Sequence, residues 1–253
     1  MKEFLVNQSL AVRTFILPEV EQKIKTITPT YDAVKHYSTY IVQWLSPIVN
    51  LSKFNVYPMN GITEGLNWWE GTSKNNIWSA IGEYQWVQHV KDRQNPTYIY
   101  QSIPSAIDGN FTDIITDRPV ALDLAYIGST AIKKIDLPDN VEYAFYSLSK
   151  SFGVGNIRTG WFFSRQKDKR LEDLIYGAKY YNYFAHQVAE EIISNFSVDY
   201  VHKKMYNKQI EICNQLNLTP SDSVWLATTT DLEYKKFRRR GDVARVCLAG
   251  VYK

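Results

Sequence analysis

The sequence predicts an α/β protein: a mostly parallel sheet flanked by helices, followed by a small C-terminal α+β unit. Three observations predict it. Between residues 54 and 163, short β-branched and aromatic runs alternate with helical or loop segments, the pattern of strands joined by crossovers. After Arg165 the pattern changes to three amphipathic helical runs and then two strand-like ones. A hydrophobic content of 45% in 253 residues is enough to fill a core of that size. The expected division is an N-terminal arm over 1–30, a large unit over 31–165 and a small one over 166–253.

Composition narrows the function class. Lys and Arg number 29 against 26 acidic residues, a net charge of +3, which is too balanced to point to nucleic acid. The one basic cluster, Arg238, Arg239 and Arg240 beside Lys235 and Lys236, reads as a solvated turn. Two cysteines, Cys213 and Cys247, exclude a disulfide framework or a cysteine zinc site and fit a reducing compartment. The first ten residues lack the continuous apolar core of a signal peptide, and no run approaches membrane-spanning length, so a cytoplasmic location is expected. The aromatic content of 14% reads mainly as packing.

Taken in order, residues 1–30 carry Pro18, Pro29 and weak periodicity, which suits an arm and a short helix. Over 31–51, Val34, Tyr37, Ile41, Leu45 and Ile48 recur at helical spacing, and Pro47 ends or kinks the run. Residues 54–57 form a strand, and Asn60-Gly61-Ile62-Thr63-Glu64 leads from it into a helix. Strand, glycine turn and helix start place backbone N–H groups and the positive end of a helix dipole around an anion, although a glycine in a turn is most often only a turn. Residues 77–81 are the next strand, after which Gly82-Glu83-Tyr84 opens a helical run through Trp86 and Val90. His89 has no acidic residue at ligand spacing, so no metal is expected there. Residues 98–102 form a further strand, followed by Ile103-Pro104-Ser105-Ala106.

The apolar run 120–122 ends in Asp123-Leu124-Ala125-Tyr126. The strand 141–145 enters residues 147–161, which read Ser-Leu-Ser-Lys-Ser-Phe-Gly-Val-Gly-Asn-Ile-Arg-Thr-Gly-Trp. That loop suits an anion. Its small residues surround the amine of Lys150, a nucleophile toward carbonyls once desolvation or a neighbouring cation lowers its pKa, and Arg158 supplies both such a cation and a fork for phosphate. Leu171, Leu174, Ile175 and Ala178, then Val188, Ile192, Ile193 and Phe196, then Val201, Met205, Ile212 and Leu216 mark three amphipathic helices. Strand-like residues 224–229 and 244–250 close the chain, the second containing Arg245.

Segments 123–126 and 147–161, in that order, resemble the ring-binding and Schiff-base segments of the fold-type I pyridoxal 5'-phosphate (PLP) enzymes, the class I/II aminotransferase superfamily. The chain is shorter than is usual in that family. The resemblance implies PLP as cofactor, with Lys150 forming the Schiff base and then shuttling a proton as general acid and base. It implies that Asp123 pairs with the pyridine nitrogen and that Tyr126 bonds the ring oxygen. Ser147, Arg158 and the turn of Gly61, Ile62 and Thr63 would anchor the phosphate. Tyr84, or second to it Trp86, would stack on the ring, with plain packing as the alternative for both. Arg245 would hold the substrate carboxylate, with a surface salt bridge as its alternative. Tyr31 falls where the family has a tyrosine reaching the partner subunit's phosphate, but His36 replaces the glycine that accompanies it, and a helix-start role is equally open. Ile103 stands where the family places an asparagine on the ring oxygen, leaving Ser102, Asp108 or Asn110 to substitute.

The implied activity is transfer of an amino group between an amino acid and a 2-oxo acid by a homodimer, with no nucleic-acid or membrane partner. The alternatives are a β-eliminating lyase of the alliinase or cystathionine-lyase kind and a non-catalytic PLP-fold binding protein.

Overall fold

The computed structural model describes residues 1–28, 37–73, 77–84, 87 and 96–252. Six strands form the main sheet: β1 (Asn55–Met59), β2 (Ile77–Ser79), β3 (Tyr98–Ser102), β4 (Val120–Asp123), β5 (Val141–Tyr146) and β6 (Gly160–Ser164). Their order is β1-β6-β5-β4-β3-β2. Strands β2 to β5 pair in parallel, and β6 runs antiparallel to both its neighbours, β5 and β1. β1 therefore points the same way as β2 to β5. The carboxyl ends of five strands meet at one edge, which is where ligands bind in open sheets of this kind.

Successive residues of a strand face opposite sides of the sheet, and here both sides are apolar. Val120, Leu122, Ala144, Tyr146, Trp161 and Phe163 join one buried cluster, while Ala121, Phe145, Phe162 and Tyr57 join another. The first cluster includes Ile41 and Leu45 of α3 (Tyr37–Leu45) and Val188, Ala189 and Ile192 of α7 (Tyr183–Asn195). The second includes Leu66 and Trp69 of α4 (Ile62–Ser73). The indole of Trp69 meets Tyr98 edge-on at 5.6 Å and lies 5.7 and 5.8 Å from the rings of Tyr143 and Phe145. These aromatic residues pack against one another, as the composition suggested.

The element types follow the sequence pattern closely. α3 stops at Leu45, two residues before Pro47, whose missing N–H and ring clash forbid continuation. Of the three late helices, α7 and α8 (Tyr200–Leu216) are regular. The first is only α6 (Lys169–Glu172), which loosens into a π-type turn over Asp173–Gly177.

A second, four-stranded antiparallel sheet follows: β7 (Thr219–Pro220), β8 (Leu226–Thr229), β9 (Arg238–Arg240) and β10 (Val243–Cys247), ordered β7-β8-β10-β9. Here the expectation of a solvated arginine turn is corrected. The three arginines are strand β9, paired with β10, and Arg238 and Arg239 are half-buried. The local charge run concealed a strand because pairing and the cover of neighbouring elements, not residue type, decide an edge strand.

The N-terminal region is two helices, α1 (Lys2–Asn7) and α2 (Pro18–Lys25), joined by an irregular strap over 8–16. Leu5, Val12, Leu17 and Val20 are all buried. The strap is fixed by far-off partners: the Gln8 amide donates to the Cys247 carbonyl at 3.0 Å and the Thr14 hydroxyl to the Ser149 carbonyl at 3.1 Å. Gly153, at φ +75°, lets it lie flat, since a Cβ there would sit 2.2 Å from the carbonyl carbon and oxygen of Phe15.

Candidate active site

At the carboxyl ends of the parallel strands lies a cavity of about 590 Å³. Of the site residues expected from sequence, Ile62, Thr63, Tyr84, Asp123, Tyr126, Ser147, Lys150 and Arg158 all line it. Gly61 lies directly beneath Arg158, and Arg245 is buried behind Ala106, to whose carbonyl it donates. Strand direction explains the convergence: β1 delivers Gly61, β3 Ser102, β4 Asp123 and β5 Ser147, each at its carboxyl end.

One end of the cavity is built for an anion. Gly61, at φ +83°, turns the chain from β1 into α4, and a Cβ there would come within 2.8 Å of the Arg158 guanidinium. Arg158 itself is held at φ +67°, a left-handed conformation that a non-glycine residue adopts rarely and at some energetic cost. Its guanidinium donates to the carbonyls of Asn60 at 2.9 Å and Gly155 at 3.4 Å. Carbonyls leave the cation's charge unneutralised, and the N-terminus of α4 adds a positive dipole end. The buried Ser149 hydroxyl, also on the cavity wall, has no hydrogen-bond partner among the described residues. Among the described residues, a cation held by carbonyls with no carboxylate partner, a helix N-terminus and an orphaned hydroxyl together fit a phosphate monoester.

The other end is acidic. Asp123 is 5% exposed and accepts from the Tyr100 hydroxyl and, at 2.7 Å, from the Ala125 N–H. Burial raises its pKa to about 6, against the opposing pull of these donors and of the Lys150 charge. Beside it, the Ser102 hydroxyl donates to Glu83 at 2.5 Å and accepts from the Ala106 N–H at 2.7 Å. Glu83 is 4% exposed, and its pKa is pushed up to about 7, chiefly by burial. Tyr126 is buried on the same wall, and burial raises its phenol pKa.

Lys150 lies between these two ends, on the four-residue helix α5 (Leu148–Ser151) that Ser147 opens. Its ammonium donates to the Val12 carbonyl of the N-terminal strap at 2.6 Å. Burial lowers its pKa, Asp123 opposes that shift, and the charges of Arg245 and Arg158 reinforce it. An amine depressed in this way exposes its lone pair nearer neutral pH.

Three features escaped the sequence. Val12, Arg13 and Thr14 form part of the wall, from a segment read only as an arm. Arg239 converges with Arg245 on one acceptor: both donate to the Leu10 carbonyl, at 2.9 and 3.5 Å. Glu83 stood in plain view beside Tyr84, but nothing in its spacing marked it as buried. Among the candidates to replace the expected asparagine, only Ser102 reaches the cavity. Asp108 caps the Asn110 N–H, and Asn110 accepts from the Asp222 N–H, so both face the second sheet's leading turn; Ile103 is core. Tyr31, His36, Trp86, His89 and Val90 lie outside the described residues.

No family model and no curated protein matches the sequence. Solved structures do match. L-threonine-O-3-phosphate decarboxylase from Porphyromonas gingivalis superposes with a TM-score of 0.62 at 16% identity, over 95% of each chain. A PLP-bound C-S lyase from Staphylococcus hominis gives 0.67 at 10% identity, over 94% of this chain and 86% of that one. Histidinol-phosphate aminotransferase from Sinorhizobium meliloti, solved with pyridoxal-5'-phosphate, gives 0.65 at 13% identity, over 94% and 84%. Those proteins transfer, eliminate or decarboxylate on one scaffold, and by its topology, its strand-end cavity and this superposition the chain has the fold of the PLP-dependent aminotransferase-like proteins of fold type I.

Proposed function

We propose that this chain is a PLP-dependent enzyme of amino acids, and that it transfers an amino group between an amino acid and a 2-oxo acid. The observation that carries the reading is one cavity holding a desolvated lysine between a buried aspartate and an anion cradle. When bound, PLP supplies an aldehyde for an amine and a ring that accepts electrons. Lys150 is the residue to hold that aldehyde and then to carry a proton on its amine. Asp123 keeps a negative charge for the ring nitrogen. Gly61, Ile62, Thr63, Ser147 and Arg158 hold the phosphate, Tyr126 the ring oxygen, and Tyr84 a ring face.

Elimination in the manner of a lyase is the second reading, favoured by the likeness to a C-S lyase. A panel of amino acids with and without a 2-oxo acid separates the two. Transfer consumes the 2-oxo acid and yields its amino acid in equal amount, whereas elimination releases ammonia with no acceptor present. Absence of any amine or oxo-acid product from the PLP-loaded protein would instead favour a non-catalytic binding protein.

Arg245 is proposed as the partner of the substrate carboxylate. A two-pronged planar contact loses geometry as well as charge on replacement, so Arg245→Lys is expected to approach Arg245→Ala in damage. The loss should be about ten- to hundred-fold in kcat/KM, with PLP affinity unchanged. Because Arg245 also holds the carbonyls of Ala106 and Leu10, a thermal melt accompanies the kinetics. Unaltered donor kinetics in a folded variant would move the role to Arg239. The homodimer remains a proposal, supported by Tyr176, Tyr180 and Phe184, 45%, 66% and 42% exposed, and sedimentation velocity checks it. Among the described residues no helix is long and apolar enough to cross a membrane, and a cytoplasmic site of action is part of the proposal.

A further inference from the structure

The Ser102 hydroxyl is a cavity group whose hydrogen-bonding direction is set from behind. It accepts one bond from the Ala106 N–H at 2.7 Å and gives its proton to Glu83 Oε2 at 2.5 Å. The other Glu83 oxygen accepts the Ser102 N–H at 3.3 Å, so the carboxylate meets Ser102 at two points. A hydroxyl has one donor and two acceptor sites. With Glu83 ionised, Ser102 has spent its proton backwards and one acceptor on Ala106, and it presents a lone pair to the cavity. With Glu83 protonated, the carboxylic O–H donates to Ser102, both acceptor sites are filled, and the serine proton turns into the cavity.

From this arrangement we infer that Glu83 is a positioning residue: its single proton switches Ser102 between hydrogen-bond acceptor and donor toward the bound cofactor or substrate. The inference rests on the proposed PLP site for what occupies the cavity, but not for the switch itself. No bond is made or broken beyond the proton exchange. Glu83 takes a proton from solvent, and the Ser102 proton is redirected rather than lost.

The surroundings allow the carboxyl to titrate near neutrality. Asp123 on β4 faces it and disfavours a second negative charge, and Tyr100 on β3, bonded to Asp123, is itself driven upward by burial and remains neutral. On its own turn, the Tyr84 N–H favours the ionised form. The backbone of Arg239 on β9 abuts Gly82 beside it, and the Lys150 charge acts on Asp123. Desolvation outweighs the donors, and the Glu83 pKa lies at about 7.

The test compares wild type with Glu83→Gln and Ser102→Ala, each with and without PLP. In the cofactor-free protein, the infrared band of buried carboxylic acids should fade as pH rises, and Glu83→Gln should lose the component with its midpoint near 7 while keeping that of Asp123 near 6. In Ser102→Ala the midpoint should move up by about one pH unit, because the anion loses a charge-assisted donor, a roughly tenfold gain in proton affinity. With PLP bound, the visible spectrum should show a pH step at the same midpoint. Glu83→Gln, whose Oε1 must accept the Ser102 N–H and so turns its NH2 toward the Ser102 hydroxyl, should hold the low-pH spectrum throughout, and Ser102→Ala should show no step. An infrared midpoint unmoved by Ser102→Ala, or a spectral step that survives both substitutions, overturns the inference. Failure to bind PLP overturns the proposed function, while the infrared comparison still decides the switch.

Discussion

Lys150→Ala protein is expected to fold, to bind PLP without a covalent bond and to show no turnover. Among the described residues Lys150 is the one lysine on the cavity wall. Burial opposes its charge, so exchanging it for a small apolar residue removes an unfavourable desolvation along with the bond to the Val12 carbonyl. The net stability change should fall within about 1 kcal/mol. The kinetic loss is far larger. Removing a nucleophile and a positioned general acid and base together should reduce kcat by more than about 10⁴-fold. Borohydride reduction of the loaded wild type followed by peptide mapping should mark Lys150, and a label on any other lysine would displace the site.

Asp123→Asn is expected to keep the covalent link to PLP and to lose about 10²- to 10³-fold in kcat, the scale for deleting one preorganised charge from a dry site. Its shape is conserved, so the side chain still accepts the Ala125 N–H. The same substitution has a pH signature in the cofactor-free protein. The folded pKa of Asp123, about 6, lies above the ordinary aspartate value of 3.8, so the folded state retains a proton that the unfolded chain has lost. Wild-type stability from this group is therefore fully present below about pH 4 and declines as pH rises toward 6. Asparagine carries no such decline, and the variant should gain relative to wild type between pH 4 and pH 7 in denaturant titrations. A flat difference would mean that Asp123 is ionised in the fold as freely as in the unfolded chain.

The sheet was legible because burial on both faces imposes continuous apolar strands, and β3 runs over the residues 98–102 read from sequence. The residues of 123–126 and 147–161 were legible as chemistry because each carries a charged group at the end of such a strand. Arg239, Glu83 and the strap were not. Arg239 sits in a charge run whose meaning depends on β10 beside it, and Glu83 is buried by partners on β3 and β4 that no local window contains. Residues 12–14 reach the cavity only because Gly153, far along the chain, leaves room for Phe15. Local pattern reports which face of an element is apolar, and it is silent about which distant segment will cover that face.

The strap also sets an order of events during synthesis. Its contacts join Val12 to Lys150, Leu10 to Arg239 and Gln8 to Cys247, the last across 239 residues. Gln8 and Leu10 are synthesised more than two hundred residues before their partners on β10 and β9. The main sheet, whose last strand is complete at Ser164, has all its strands long before then. Loop closure over such separations is slow relative to local structure. The sheet can thus assemble before the partners of Gln8 and Leu10 are made, and the strap, which precedes the sheet in the sequence, completes its docking after it.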